Sequence, residues 1–114
     1  MEAKVIKGDE LEEKDFGDTK VTDVLDVDEW PWFNIAKVEK VGDDIKTGYD
    51  KESNVAYYVL EGEGKCVLNG KEYNIKKGDC VLSPKGTKYK NLKGLTLLAI
   101  ASPPFDRDKR VYVE

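Results

Sequence analysis

The sequence predicts an all-β protein with an antiparallel sandwich or barrel as its single domain. Short runs rich in Val, Ile, Leu and Tyr recur along most of the chain, as in strands. Glycine and proline turns separate these runs, and Asn69-Gly70 is the strongest hairpin signal. No segment has a convincing helical period. The 114 residues therefore fit one compact domain of about eight to ten short strands.

The strands can be placed in order between these turns. The predicted strands are 33–41, 45–51, 55–60, 65–68, 72–75, 80–83, 87–92 and 95–101. A turn is predicted at 61–64, where two glycines alternate with glutamates. Pro103 and Pro104 end the last strand, and the VYV run of the tail is suited to a sheet edge. Near the start, KVTDVLDV fits either a short strand or one helical turn.

Three aromatic residues surround Pro31, which interrupts any regular strand there. Trp30, Trp32 and Phe33 offer a large area for burial. They could form a hydrophobic plug at one end of the barrel or a wall of a ligand pocket. The plug is the preferred interpretation, since aromatics beside turns usually belong to the core.

The charge is unevenly distributed and limits the choice of partners. Residues 1–29 carry eleven acidic and four basic side chains, whereas the whole chain has a net charge of −4. An acidic total argues against nucleic acid as a partner, and no apolar run is long enough to span a membrane. The charged start does not resemble a secretory signal, so we expect a cytoplasmic location. The acidic segment is expected to be a solvated surface, or to lie against the basic remainder.

The chain contains no histidine, which removes the commonest metal ligand and the usual acid–base catalyst at neutral pH. Cys66 and Cys80 are expected to be small buried residues, and without histidine neither can act as a papain-like nucleophile. A bridge between them requires adjacent strands. High Lys and Glu content with little Met, Gln and Cys is typical of heat-adapted proteins, so a thermophilic source is a hypothesis.

The stretch 48–91 resembles the cupin superfamily, whose two motifs are G-x5-H-x-H-x3-4-E-x6-G and G-x5-P-x-G-x2-H-x3-N. Gly62 matches the last glycine of the first motif, while Gly78, Pro84 and Gly86 keep the spacing of the second. The resemblance covers roughly 33–102 and implies a cupin-type antiparallel β-barrel, also called a double-stranded β-helix or jelly roll. The acidic segment 1–29 then precedes this core, and the tail 103–114 follows it.

The residues that bind metal in typical cupins are replaced in this sequence. Counting from Gly62 and Gly86, the four metal positions are Tyr49, Lys51, Val55 and Tyr89. The final asparagine position of the second motif is Lys93, and Asn91 lies two residues earlier. Valine cannot coordinate a metal, and a lysine would place a positive charge beside it. The resemblance therefore implies a cupin without the usual metal, and we expect no cofactor. A metal site could then be formed only by Cys, Asp or Glu residues outside the two motifs.

These replacements and the alternation of strand residues predict the lining of a pocket. If Val55 faces inward, Tyr57 does so too. The predicted ligand-binding residues are Tyr49, Lys51, Val55, Tyr57, Tyr89 and Asn91. Phenols and one ammonium could hold a small polar or anionic ligand, either carbohydrate-like or a carboxylate, with Lys51 supplying the charge.

Two other functions stay open. One is a metal-independent sugar isomerase or epimerase with Tyr49 or Tyr89 as the acid. The other is a structural or interaction module whose tyrosines merely fill the former metal site. Tyr58 and Leu60 are predicted to point outward from strand 55–60, and the resemblance implies a homodimer across such a strand.

Overall fold

The computed structural model describes residues 2–42, 46–91 and 94–113, apart from the side chain of Arg107. It confirms the all-β prediction: the described residues form strands and two 3₁₀ turns, Gly8–Glu10 and Arg107–Lys109. The strands are β1 Glu13–Asp15, β2 Thr19–Asp23, β3 Asn34–Lys40, β4 Gly48–Asp50, β5 Asn54–Leu68, β6 Lys71–Lys76, β7 Cys80–Ser83, β8 Tyr89–Asn91, β9 Leu95–Ser102 and β10 Arg110–Tyr112. No helix in the described ranges has the length and apolarity to cross a membrane.

The strands form two antiparallel sheets that share β5. In the first sheet the order is β1-β2-β3-β9-β5-β7, and in the second it is β6-β5-β8-β4-β10. Every pairing is antiparallel, as expected for a barrel whose strands are joined by short turns. The predicted antiparallel barrel is thus the observed architecture.

Strand β5 bends from one sheet into the other, so the turn predicted at 61–64 is wrong. The strand runs without interruption from Asn54 to Leu68. Its register against β9 shifts between Val59 and Glu61, which marks a bulge. Gly62 follows the bulge with φ of 89°, a conformation that glycine adopts without strain. The glycines of this segment therefore allow one long strand to bend, and they do not form a turn between two short strands.

The hydrophobic core lies at this bend. Val59, Leu95 and Leu97 are almost completely buried, and Cys66 packs with them. As the alternation predicts, Val55 is also buried while Tyr58 is exposed. Both cysteines are free. Cys66 is buried as predicted, whereas the prediction that Cys80 is buried is wrong, because Cys80 is exposed. The core consequently fills one end of the barrel.

Segments outside the predicted core 33–102 complete both sheets. KVTDVLDV supplies strand β2, which pairs with β3, and β10 joins the edge of the second sheet beside β4. Of the strand predicted at 45–51, the structure has β4, while Ile45 lies outside the described residues, as does Lys93.

Trp30 packs edge-on against Trp32 and Phe33, with ring centroids 4.8 and 5.7 Å away, and Trp32 remains 61% exposed.

Replacing Gly62 by alanine should strongly destabilise the fold. A Cβ at this position would overlap the carbonyl oxygen of Gly94, a backbone atom that cannot move freely. We expect Gly62→Ala to lower the free energy of unfolding by about 3 kcal/mol or more, measured by urea denaturation.

Gly70→Ala is the matched control, because Gly70 also has a positive φ but no atom within 4 Å of the added Cβ. It should lose only the backbone preference, about 1 kcal/mol. Equal losses for the two variants would contradict the role assigned to the bend.

Candidate functional site

An open cavity of about 540 Å³ lies beside the core, between the inner faces of the two sheets. Small side chains of the first sheet, Ala36, Ala99 and Ala101, form part of its wall together with Val55. Register explains their proximity, since Ala36 pairs with Ala99 in adjacent strands. Cavities of this size commonly hold small molecules. The volume exists because alanines occupy positions where larger residues would fill a barrel.

Strand β10 introduces the guanidinium of Arg110 into this cavity. The guanidinium passes over Gly48, since a Cβ added there would lie only 2.9 Å from Nε and 3.2 Å from Nη2. The positive charge of Arg110 acts on the neighbouring Tyr57 hydroxyl and favours its ionised form. The Cζ of Arg110 also lies 5.8 Å from the ring centroid of Tyr112. The absence of a side chain at Gly48 thus provides the space for this cation.

Two stacked tyrosines form the neighbouring wall. The rings of Tyr57 and Tyr89 are 4.2 Å apart and within 7° of parallel. Burial raises the pKa of Tyr57, an effect that nearby Arg110 opposes. Burial also raises the pKa of Tyr89 well above its usual value, and its buried hydroxyl has no hydrogen-bond partner. Both phenols are therefore neutral near pH 7.

Lys40, the last residue of β3, supplies a second cation to the cavity lining. Burial, followed by the positive charge of Arg110, lowers its pKa to about 8, although Asp18 acts in the opposite direction. Within the described residues, neither Lys40 nor Arg110 forms a salt bridge with a carboxylate. Besides the Lys14–Asp23 pair and Asp26, the lining therefore contains two cationic groups that repel each other and lack a salt-bridge partner, an arrangement suited to a negatively charged ligand.

The structure brings together half of the sequence-predicted lining. Val55, Tyr57 and Tyr89 border the cavity, whereas Tyr49, Lys51 and Asn91 do not. The alternation in β4 is opposite to the expected one, since Gly48 and Asp50 are buried and Tyr49 is half-buried.

The other two predicted residues also lie apart from the cavity. Lys51 follows β4 and is exposed, so the predicted source of positive charge lies at the surface. Asn91 is buried opposite Cys66, and neither polar atom of its amide has a hydrogen-bond partner in the described structure.

Sequence reasoning missed both cations of the cavity. Lys40 shares one face of β3 with Ala36 and Val38, and this period-two pattern was available in the sequence. Arg110 belongs to the tail, where the VYV run indicated an edge strand but not its neighbour. The pairing of β10 with β4 is a tertiary contact that no local pattern encodes.

Comparison with known proteins agrees with this architecture. Residues 37–91 match the family model described as a cupin domain. An uncharacterized protein of Methanocaldococcus jannaschii is 32% identical over 66 residues. The match covers 54% of this chain and 53% of that relative, so the chain spans about half of the relative's length.

Solved structures extend the likeness to the whole fold. A variant of Pac13 from Streptomyces, solved with uridine, has a TM-score of 0.88 at 18% identity, covering 100% of this chain and 93% of that one. Pac13 is described as a nucleoside dehydratase. Ectoine synthase from P. lautus has a TM-score of 0.75 at 19% identity, covering 100% of this chain and 91% of that one.

The double-sheet barrel with a cavity beside its core is the architecture of a small β-barrel ligand-binding or enzyme domain. The match of residues 37–91 to the cupin domain and the fold of the whole chain both agree with the cupin architecture. The identity to the solved structures is below 25%, so these structures establish the fold and not a shared activity.

The residues at the family's metal positions do not suit a divalent metal. Val55 has no donor atom, the Lys51 ammonium is exposed, and the Tyr89 hydroxyl is buried with a raised pKa. Across the described ranges, no three Cys, Asp or Glu side chains are grouped so that they could hold a metal ion. No step involving a metal is therefore derived for this site.

The two stacked tyrosines should respond differently to removal of the hydroxyl. Tyr89→Phe removes a buried hydroxyl without a partner, so the free energy of unfolding should change by less than about 1 kcal/mol or rise. Tyr57→Phe removes a hydroxyl that interacts with the Arg110 guanidinium and should cost about 1–2 kcal/mol.

Denaturation of both variants at pH 7 measures the difference, and the pair is matched because each change deletes one oxygen from the same stack. A larger loss for Tyr89→Phe than for Tyr57→Phe would contradict the assigned interaction between Tyr57 and Arg110.

Proposed function

We propose that this cupin binds a small polar or anionic ligand, carbohydrate-like or a carboxylate, in the cavity between its sheets. The observation that carries the proposal is the placement of the Arg110 guanidinium at this cavity without a carboxylate partner among the described residues. A guanidinium offers a planar set of donors that matches a carboxylate. The neutral phenol of Tyr57 adds a hydroxyl beside it.

The remaining lining favours a ligand with a compact apolar part. Ala36, Ala99 and Ala101 provide an apolar surface beside the tyrosine stack, since Ala99 pairs with Tyr57 in adjacent strands. Phe105 and Tyr112 also border the cavity, and each is exposed by more than two fifths of its surface. The structure of Pac13 with uridine is an example of a similar fold with a ligand that combines rings and hydroxyl groups. Ring-bearing polar molecules are therefore among the candidates for this chain.

A metal-independent enzyme is the second candidate, and Lys40 is the observation that favours it. A lysine with a pKa of about 8 exchanges a proton readily near neutral pH. Tyr57, which lines the same cavity, could then serve as the acid, and Arg110 would stabilise negative charge developing on the substrate. Lyases and isomerases of hydroxylated carboxylates fit this set of groups.

Arg110→Met tests the binding proposal. The probes are glucuronate, benzoate and uridine, each titrated into ¹⁵N-labelled protein while amide shifts are followed at Ala36, Ala99 and Ala101. For the carboxylates we expect Arg110→Met to raise Kd at least about tenfold, because it removes a charge-assisted hydrogen bond.

Lys109→Met is the charge-matched control, since Lys109 is the preceding residue and forms a salt bridge with Glu52 instead. Ala99→Leu should abolish binding of all three probes by filling the cavity. Unchanged amide shifts with every probe, or equal affinities for Arg110→Met and Lys109→Met, would contradict the proposal.

We also propose that the chain forms a homodimer through the outer face of the first sheet. Ala56 pairs with Ile100 on one side and Leu82 on the other, so uncharged side chains form a row across three strands. Leu82 is 70% exposed, and Tyr58 lies two residues along the same face. A second copy is the proposed occupant, because an uncharged row can pack against itself about a two-fold axis.

Leu82→Glu should convert the dimer to a monomer, because a carboxylate would be buried without a partner in the interface. Light scattering at micromolar concentration, coupled to gel filtration, measures the mass. Val5→Glu is the control, since Val5 is 77% exposed and belongs to none of the strands. A monomeric wild-type protein would refute the dimer.

A further inference from the structure

The charged side chains that line the cavity differ in whether their charge is compensated. Lys14 forms a salt bridge with Asp23, 3.8 Å between Nζ and Oδ2. Asp26 accepts a hydrogen bond from the amide of Asp28. Lys40 and Arg110 have no such carboxylate partner within the described part of the chain. The cations of the lining without a salt-bridge partner are therefore Lys40 and Arg110, while Asp26 is held by a backbone amide.

The charged groups around the two cations can be named. Asp50 lies opposite Arg110 in the β4–β10 ladder; its Oδ1 accepts hydrogen bonds from the amides of Glu52 and Ser53, and its buried Oδ2 has no hydrogen-bond partner and forms no salt bridge with Arg110. Around Lys40, the charged groups that act on it are Arg110 from β10 and Asp18 from the segment before β2. The neutral residue Thr19 pairs with Lys40 from β2, and the amide of Gly94, just before β9, donates to the Lys40 backbone carbonyl.

We propose that the charged group of the ligand is an oxyanion seated between Lys40 and Arg110, and that Lys40 takes up a proton from solution when this anion binds. The inference rests on the binding function proposed above and names its ligand class: carboxylates, sulfonates, sulfates and phosphates that are ionised at pH 7–9. A neutral ligand in the same cavity draws no proton.

The proton uptake follows from electrostatics at the site. In the free protein, burial and the charge of Arg110 both favour the neutral amine of Lys40. An anion between the two cations attracts both. Its Coulombic attraction stabilises the ammonium form of Lys40, which the positive charge of Arg110 destabilises. Linkage then makes the affinity for the anion fall as pH rises above the free protein's Lys40 titration.

The experiment follows the titration of Lys40 directly. Protein with ¹³C-labelled lysine side chains is titrated from pH 6.5 to 10.5 in low-chloride buffer, with and without 50 mM sulfate, which does not itself titrate in this range. The Lys40 resonance is assigned by its loss in Lys40→Arg. We expect its midpoint to lie near pH 8 without sulfate and to rise by about one pH unit or more with it. The resonance of Lys71, which is exposed and outside the cavity lining, serves as the internal control and should have the same position with and without sulfate at each pH.

Lys40→Arg provides the second arm, because its charge is permanent across this range. Its affinity for sulfate and benzoate should be constant from pH 7 to 9.5, whereas the wild-type affinity should fall by up to tenfold per pH unit above the Lys40 midpoint. Calorimetry in two buffers of different ionisation enthalpy should show uptake of up to one proton per benzoate at pH 9 for the wild type and none for the variant.

The outcomes separate this inference from the proposed function. If uridine or glucuronate perturbs the amides of Ala36 and Ala99 while sulfate leaves the Lys40 midpoint unchanged, the proton-coupled anion seat is refuted and ligand binding stands. If no probe perturbs the cavity, both are refuted. A sulfate-induced rise that persists in Arg110→Met would also overturn the two-cation seat.

Discussion

The bend of β5 is the constraint on which the rest of this structure depends. One strand belongs to both sheets only because its register slips at Val59 and Glu61 and because Gly62 adopts a positive φ against the backbone of Gly94. Its first half pairs with β7 and β9, and its second half pairs with β6 and β8. The core forms inside this bend, and the cavity opens beside it. A straight strand would leave two separate sheets without an enclosed space.

The polar groups that line the cavity reduce the stability of the fold. Burying Lys40 near Arg110 disfavours the ammonium, as its lowered pKa shows, and the Tyr89 hydroxyl loses water without gaining a partner. A domain that needed only stability would fill this volume with apolar side chains, as the other end of the barrel does. Small alanines and uncompensated cations in one cavity are instead typical of a site that completes its interactions with a ligand.

The sequence predicted the fold well, because turns and strand alternation are local. The strand Cys80–Ser83 has its predicted bounds, and the inward face of β5 is correct from Val55 to Val59. The site was less predictable, because it depends on which strands meet. Motif spacing placed Tyr49 and Lys51 in the pocket. In the structure the alternation along β4 is the reverse, because Gly48 and Asp50 are the buried residues. Arg110 reaches the cavity only through pairing with a strand about sixty residues earlier in the chain.

The position of Arg110 on an edge strand has a dynamic consequence. Strand β10 is short and is hydrogen-bonded to β4 alone among the described strands, so it belongs to the part of a fold that opens most easily. Lys40 lies on β3, in the other sheet. An anion that bridges the two side chains would connect an easily opened edge to a central strand. Local opening of β10 would then require release of the ligand, so occupancy of the cavity and amide exchange at this edge would report on the same equilibrium.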